Sequence, residues 1–392
     1  MKKATHQQTK LHNRNLVLRT IFAHETISRA EIARITKLTR TTVSDAVASL
    51  LAKGLVQEVG FGSSLGGKNP ILLSLVADAR HLVGLNLAQD RFIGAVLNLR
   101  GEIKQVCELP VSDQDGEQAL ELVYQILDQL LGENWKPVVG IGVGAPGLIN
   151  TREGTVVNAV NLDWRDLPLA KLLQARYHLP VTVLNDSQAT AIGEYTYGGD
   201  HNPDGNLVVV NVKHGIGAGI LINGRLFQGD GGGAGEIGHV VVQENGALCR
   251  CGKRGCLETV ASAQAVLEQV KARTGAGRPA TLEGTQAAFA SGDPIARQVV
   301  LEAGHALGVA LAGLVGTLNI EKMVVTGDMT QFGQPWFEAV NHGMQEAALG
   351  RMAEQTQLEL GRLDYRACLL GASASMLMDD YSLLFAGEEE ES

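Results

Sequence analysis

Residues 235–258 read GEIGHVVVQENGALCRCGKRGCLE. Cys249, Cys251 and Cys256 place three thiols within eight residues, on a glycine-rich turn able to wrap around an ion, and His239 lies ten residues upstream. Three sulfurs and one imidazole fill the four corners of a tetrahedron, which describes a structural zinc rather than an open catalytic one. Lys253 and Arg254 beside them favour the thiolates. The competing reading is a trio of free or redox-active thiols. Cys107 and Cys368 stand in apolar runs and read as core residues. Five cysteines, an odd number with three of them clustered, argue against a secreted disulfide scaffold.

Carboxylates flank this stretch. Glu236 precedes His239 by three residues, and Glu258 follows the cysteine turn. Upstream, Asn185-Asp186 follows the apolar strand Val181–Leu184 and precedes a helix. Both side chains therefore project from a strand's C-terminal end, where α/β proteins place ligands. Asn161 follows a glycine-punctuated segment. Amides, carboxylates and imidazole together match a polyol, whose hydroxyls donate and accept. An Asn-Asp pair by itself is usually a helix cap. His214-Gly215-Ile216-Gly217-Ala218-Gly219 fits a phosphate-cradling turn or an ordinary hairpin. Trp164 fits a sugar-stacking role or the core.

The surrounding pattern is mixed α/β. Strands are expected at Leu82–Leu87, Phe92–Leu97, Ile103–Leu109, Val138–Val143, Val181–Leu184, Leu207–Val212, Gly217–Ile222 and Met323–Val325. Helices are expected at Gly116–Leu131, Leu167–Arg176, Ser187–Tyr195, Ser262–Lys271, Pro294–Asn319 and Gln334–Leu349. Glycine turns at strand ends favour two lobes with a cleft between them. Strand order is not legible at this level.

The first 70 residues have a different character. They carry 11 Lys+Arg against 4 Asp+Glu, while the remainder carries 22 against 38, so a basic head precedes an acidic body. Such asymmetry suggests a polyanionic partner for the head, although a basic solvated surface looks the same by charge alone. Asn13–His24 has helical apolar spacing. Ser28-Arg29-Ala30-Glu31 is a capping box opening a short helix to about Thr36. Thr39 then caps a third helix whose apolar face is Val43, Ala46, Val47, Leu50 and Leu51, stopped at Gly54. Leu55–Val59 and Ile71–Leu75 read as strands joined by a glycine-rich loop that carries Lys68. Together these predict a winged helix-turn-helix. Arg40 and Thr42 are expected at or near base edges, with Thr41 and Ser44 close by, and Arg14, Arg29, Lys37 and Lys68 on phosphates.

No stretch of about 18 uncharged apolar residues is evident, so a membrane span is not expected. No signal-peptide apolar core follows the basic N-terminus, and cytoplasmic placement is the expectation. The acidic run Glu388–Glu391 reads as a solvated end.

The set GAPG (144–147), NDSQATAIGE (185–194), GIGAG (215–219), GEIGH (235–239) and CRCGKRGCLE (249–258) resembles the ROK family of sugar kinases and repressors. The head, SRAEIARITKLTRTTVSDAVASLLAKGLV (28–56) followed by GGK (66–68), is similar to that of the family's transcriptional regulators. The resemblance implies a two-lobed actin-like ATPase (ribonuclease H-like) fold, with zinc on His239, Cys249, Cys251 and Cys256. It also implies a sugar cleft lined by Asn161, Asn185, Asp186, Glu236, His239 and Glu258. Position 186 corresponds to the general base of the family's kinases, and His239 would link metal and sugar through its two ring nitrogens.

Departures from the kinase pattern concern nucleotide. The Asp-x-Gly-Gly-Thr phosphate loop is replaced by Asn86-Leu87-Ala88-Gln89-Asp90, His214 stands where kinases usually carry Thr, and Gly327-Asp328-Met329 replaces a Gly-Gly run. Phosphoryl transfer requires close placement and charge neutralisation of the nucleotide, which this loop does not offer. Asp186 is therefore expected to be a vestige that accepts hydrogen bonds from sugar.

The reading that follows is a sugar-responsive, non-enzymatic transcriptional repressor of carbohydrate genes. It is expected to act as a homodimer or higher assembly on a palindromic double-stranded operator. The alternative is an ATP-dependent sugar kinase of this family that also binds DNA. The expected domains are 1–78 for the winged head, 79–197 for the first lobe with 379–392 returning to it, and 198–378 for the second lobe with the zinc site.

Overall fold

The computed structural model describes residues 5–63, 69–112, 114–132, 135, 137–199, 205–274, 281–378 and 381–385. In the head, α1 (His6–Phe22) begins well before the expected Asn13, because Thr5 and Gln8 form a capping box of their own. β1 (Ile27–Ser28) leads into α2 (Arg29–Thr36). There the Glu31 N–H donates to Ser28 Oγ over 3.2 Å, and the Ser28 N–H donates to Glu31 Oε2 over 3.0 Å. Lys37 ends α2 in the left-handed region. Thr39 caps α3 (Arg40–Ala52) by accepting the Thr42 N–H. Val43, Val47 and Leu50 on α3 are fully buried against Val17, Leu18 and Ile32. β2 (Val56–Phe61) and β3 (Ile71–Leu75) form the wing, and with β1 they pair in the order β1-β3-β2.

The body contains two five-stranded sheets of the same topology. β4 (His81–Leu87), β5 (Arg91–Asn98) and β6 (Ile103–Pro110) form an antiparallel meander. After α4 (Gly116–Leu131), β7 (Val138–Ala145) joins β4 in parallel. A small sheet of β8 (Leu148–Asn150), β9 (Thr155–Ala159) and β10 (Trp164–Leu167) follows, then α5 (Leu169–Tyr177) and β11 (Val181–Asn185), parallel to β7. The first sheet is thus ordered β11-β7-β4-β5-β6. α6 (Asp186–Tyr197) crosses to the second lobe, where β12 (Leu207–Val212), β13 (Ile216–Ile222) and β14 (Arg225–Leu226) repeat the meander.

α7 (Glu258–Ala261), α8 (Ala263–Thr274), α9 (Leu282–Ala290) and α10 (Pro294–Leu318) precede β15 (Lys322–Thr326). α11 (Gln334–Ala347), α12 (Gly350–Gln355), β16 (Gln357–Leu360) and α13 (Arg366–Met378) complete the body. The second sheet runs β14-β13-β12-β15-β16, with β15 parallel to β12 and β16. This duplicated order is the two-lobed, actin-like architecture.

α6 and α13 cross between the two sheets. A Cβ at Gly371 would sit 1.7 Å from the Ala189 carbonyl oxygen, so only glycine lets the backbones meet. The sequence reading counted α13 with the second lobe, but it packs on β4 and β7 of the first sheet. Only 381–385 of the expected returning segment 379–392 is described. It carries Tyr381, Leu384 and Phe385 into the core shared by the head and the first lobe. Glu388–Glu391 lie outside the described residues.

The sequence reading also passed over α10 as a stretch long and apolar enough to cross a membrane. Half of its most apolar window is buried inside the protein, where Val300, Leu307, Leu311 and Val315 are in the second lobe's core. Cys107 and Cys368 are buried, as expected. Trp164 is core rather than cleft: it is 3% exposed and donates to the Gly116 carbonyl over 2.8 Å.

Candidate functional site

The metal-ligand candidates converge. His239 sits at the end of a single-turn helix (Ile237–His239), and the cysteines lie on a turn held by Cys249 N–H to Lys253 O and Gly255 N–H to Ala247 O bonds. Gly255 has φ +73°, and a Cβ there would meet the Gln243 carbonyl oxygen at 1.7 Å. The four donor atoms all lie within 4.8 Å of one another. His239 Nδ1 is 3.6 Å from Cys249 Sγ, and Cys251 Sγ is 3.6 Å from Cys256 Sγ. A tetrahedron with metal–sulfur bonds of ~2.3 Å has edges of about 3.8 Å, so the cluster fits zinc closely. Burial raises the Cys249 thiol and pushes Cys256 up to about 12, while the Lys253 N–H lowers Cys251. A bound cation would favour the thiolate forms of all three cysteines. Bound there, zinc would have no open coordination position, and its role would be to fix this loop.

Beside the cluster a cleft of about 540 Å³ opens between the lobes. All six residues expected to hold sugar line it: Asn161, Asn185, Asp186, Glu236, His239 and Glu258. His239 turns Nε2 toward Glu236 Oε2, 3.9 Å away, leaving Nδ1 toward the sulfurs. Burial first, then the charges of Asp186 and Glu258, pushes Glu236 up to about 7. Burial also raises Asp186, with the Lys213 ammonium and the Ser187 N–H opposing. Asn185 serves largely as a cap. Its Oδ1 accepts from Ser187 N–H at 2.9 Å and Gln188 N–H at 3.3 Å, and its Nδ2 donates to the Gly147 carbonyl.

Arg250 went unnoticed in the sequence. Flanked by Cys249 and Cys251, it is aimed by the cysteine turn: its Nη1 donates to Asn161 Oδ1, and Nη2 lies 3.9 Å from Glu258. Asn161 Nδ2 in turn donates to Gln89 Oε1 at 3.4 Å, so a polar chain spans the cleft from first lobe to second. Lys213 and Asn211 also line the cleft and were missed, whereas Asp328, which lines it too, had been read only as a departure from the kinase loop. The signal for them lay in their adjacency to the glycine runs after β12 and β15. Gln89 and Asp90 occupy the β4–β5 turn in place of glycines.

On the head, Arg40, Thr41 and Ser44 are exposed on the N-terminal turns of α3, and Lys37 is exposed just before it. Thr42 is half-buried with its hydroxyl 2.9 Å from Thr39 Oγ1. Two expected phosphate contacts are engaged elsewhere: Arg29 pairs with Glu58 of the wing at 2.9 Å, and Arg14 stacks 3.6 Å above the Phe385 ring. Lys68 lies outside the described residues.

Comparison with known proteins matches residues 82–378 to the ROK family and residues 12–57 to a winged helix-turn-helix DNA-binding family. The chain is 31% identical over 390 residues to the xylose repressor of Caldicellulosiruptor bescii, covering 95% of this chain and 97% of that one. It is 33% identical over 328 residues to a glucokinase of Halalkalibacterium halodurans, covering 79% of this chain and 99% of that one. Among solved structures it superposes on a ROK family transcriptional regulator, a homologue of the Escherichia coli MLC protein. That superposition has a TM-score of 0.82 and 28% identity, covering 96% of this chain and 98% of that one.

Proposed function

The chain belongs to the ROK family, and from that premise we propose how its winged head, cleft and metal loop work together as a sugar-responsive repressor. DNA binding by the head and a repressor's role follow from the winged helix-turn-helix and the full-length repressor relatives. The proposal adds the effector: a sugar held in the interlobe cleft by Asn161, Asp186, Glu236, His239 and Glu258. It also adds structural zinc on His239, Cys249, Cys251 and Cys256, which fixes the loop that presents His239, Arg250 and Glu258. A homodimer would set two α3 helices on half-sites about one DNA turn apart, in the cytoplasm where operators are found. Arg40, Thr41, Thr42 and Ser44 would face base edges, with Lys37 and Lys68 on phosphates.

One observation carries the choice of regulator over kinase. The nucleotide side of the cleft presents Gln89, Asp90 and Asp328 where a nucleotide's phosphates would need glycine backbone and positive charge. Asp186 then accepts from a sugar hydroxyl without delivering it to a phosphoryl group. For regulation, sugar must bind the DNA-free and DNA-bound arrangements with different affinity, and about 1.4 kcal/mol of difference changes operator affinity tenfold.

The glucokinase relative and the retained Asp186 favour a second reading, a sugar kinase that also binds DNA. A coupled ADP-release assay over a pentose and hexose panel, run beside operator selection from random DNA, separates the two. An enriched, sugar-sensitive sequence without sugar-dependent ADP release supports the regulator, whereas turnover near 10 per second, typical of enzymes, supports the kinase.

A further inference from the structure

Five carboxylates line the cleft, those of Asp90, Asp186, Glu236, Glu258 and Asp328, against two cationic side chains, Lys213 and Arg250. Arg250 is engaged by Asn161 and Glu258, and the Lys213 ammonium acts on Asp186 and Asp328.

The backbone features that ordinarily hold phosphate are also occupied. The N-terminus of α6 points into the cleft, but its first free N–H groups are taken by Asn185 Oδ1 and Asp186 Oδ1. The glycine turn after β12 is filled as well. A Cβ at Gly215 would lie 2.6 Å from Glu258 Oε2, and one at Gly217 would lie 2.5 Å from Ser187 Oγ. These glycines admit a carboxylate and a hydroxyl, so the turn's missing side chains do not leave a phosphate cradle.

One acceptor in the cleft stands without a donor. Asn211 is 3% exposed, lines the cleft, and its Oδ1 has no partner. A buried acceptor left unpaired is costly and marks where a ligand donor belongs. A phosphate near neutral pH carries up to two negative charges and presents mainly acceptor oxygens. A sugar hydroxyl donates and accepts.

Resting on the effector reading above, we infer that the cleft takes a neutral, unphosphorylated sugar through donated hydroxyl hydrogen bonds and discriminates against sugar phosphates. The acidic lining rejects the phosphate, and the unpaired acceptor favours the hydroxyl.

The test is calorimetric titration of the full-length, zinc-loaded protein with matched pairs: xylose and xylose 5-phosphate, glucose and glucose 6-phosphate, N-acetylglucosamine and its 6-phosphate. For whichever neutral sugar binds, the phosphorylated partner is expected to bind at least ~100-fold more weakly. Asp328→Asn, checked for an unchanged circular dichroism spectrum, is expected to narrow that gap by about tenfold. A phosphorylated sugar binding as well as or better than its neutral partner overturns the inference while leaving the effector reading in place. A gap that Asp328→Asn does not narrow removes its electrostatic basis. Heat from no member of either series, with operator binding intact, overturns the effector reading itself.

Discussion

Arg100 Nη1 donates to the carbonyl oxygen of Phe22 over 2.6 Å, joining the first lobe of the body to the last residue of α1 in the head. Its Nη2 donates to the His24 carbonyl at 2.8 Å, and the guanidinium lies over the Phe22 ring. Tyr381 meets the same ring edge-on, so the C-terminal segment closes the joint. α6, whose first turn lines the cleft, ends at Tyr197, whose ring carbons lie against Gly101 beside Arg100. Cleft and head are therefore bridged by one helix. Arg100→Ala is expected to destabilise the protein by about 1.5–3 kcal/mol, the range for hydrogen bonds from a charged donor. It should also weaken the dependence of operator affinity on sugar. Chemical denaturation and operator titration with and without sugar measure the two effects. Full sugar dependence in a folded variant would locate the coupling elsewhere.

Removal of the metal should act on the cleft as well as on stability. Cys251 is the exposed member of the cluster, so Cys251→Ala removes a ligand without opening a cavity. The variant is expected to lose bound zinc, whereas Cys107→Ala keeps it. With free zinc about 1,000-fold above its dissociation constant, the lost linkage amounts to roughly 4 kcal/mol. Sugar affinity should fall too, because His239, Arg250 and Glu258 are all set by this loop. Metal analysis after desalting, thermal unfolding and sugar titration check the three parts.

The cluster was legible because its chemistry is local: spacing alone puts three thiols on one turn. The cleft was legible as a set of residue types, but not as a geometry. Asn185 reads equally well as ligand or cap in sequence, and in the structure its amide is mostly a cap. Arg250 escaped notice because an arginine between two cysteines has no signal until the turn aims it. α13 escaped because every face of RACLLGASASMLM is buried, which erases the polar–apolar alternation that reveals a surface helix. Arg14 and Arg29 looked like phosphate contacts because charge is visible in a sequence and its partner is not. Glu58 and Phe385 lie far along the chain from them.

That last difference predicts an asymmetry on DNA. Arg40→Ala should cost about 1–3 kcal/mol of operator affinity and relax preference at one base. Lys37→Ala should weaken binding across sequences and reduce the salt dependence by about one charge. Arg29→Ala should change operator affinity little, because its charge is spent on Glu58. Titrations at several salt concentrations with operator and scrambled DNA distinguish these. Equal losses from all three would place the recognition surface differently.

Asp186→Asn tests the carboxylate at the head of α6. Asparagine keeps an acceptor for the Ser187 N–H, so the helix start should survive. The lost interaction is a charged acceptor for a sugar hydroxyl, about 1.5–3 kcal/mol or roughly tenfold to a hundredfold in affinity. Operator binding without sugar should be unchanged. A sugar affinity equal to that of the wild type would remove Asp186 from the binding set.

His81 supplies a pH signature distinct from the cleft. It begins β4 at 6% exposure, its Nδ1 has no partner, and its ring lies 5.5 Å from that of Trp135. Burial is the largest influence and lowers its pKa. Asp78, 3.9 Å from Nε2, opposes that shift, and Lys104 reinforces it. A histidine lowered in the folded state binds its proton more readily when unfolded, so protonation favours unfolding. Its contribution is therefore absent well above the unfolded value of about 6.5. As pH falls through that value the protein is destabilised, by at most about 1.4 kcal/mol per pH unit for one proton, until the folded pKa is reached. His81→Phe keeps an aromatic ring against Trp135 and removes the titration. Between pH 7.5 and 5.5 the variant is expected to lose less stability than the wild type in parallel denaturant unfolding curves. Identical losses in the two proteins would show that His81 is not the group responsible.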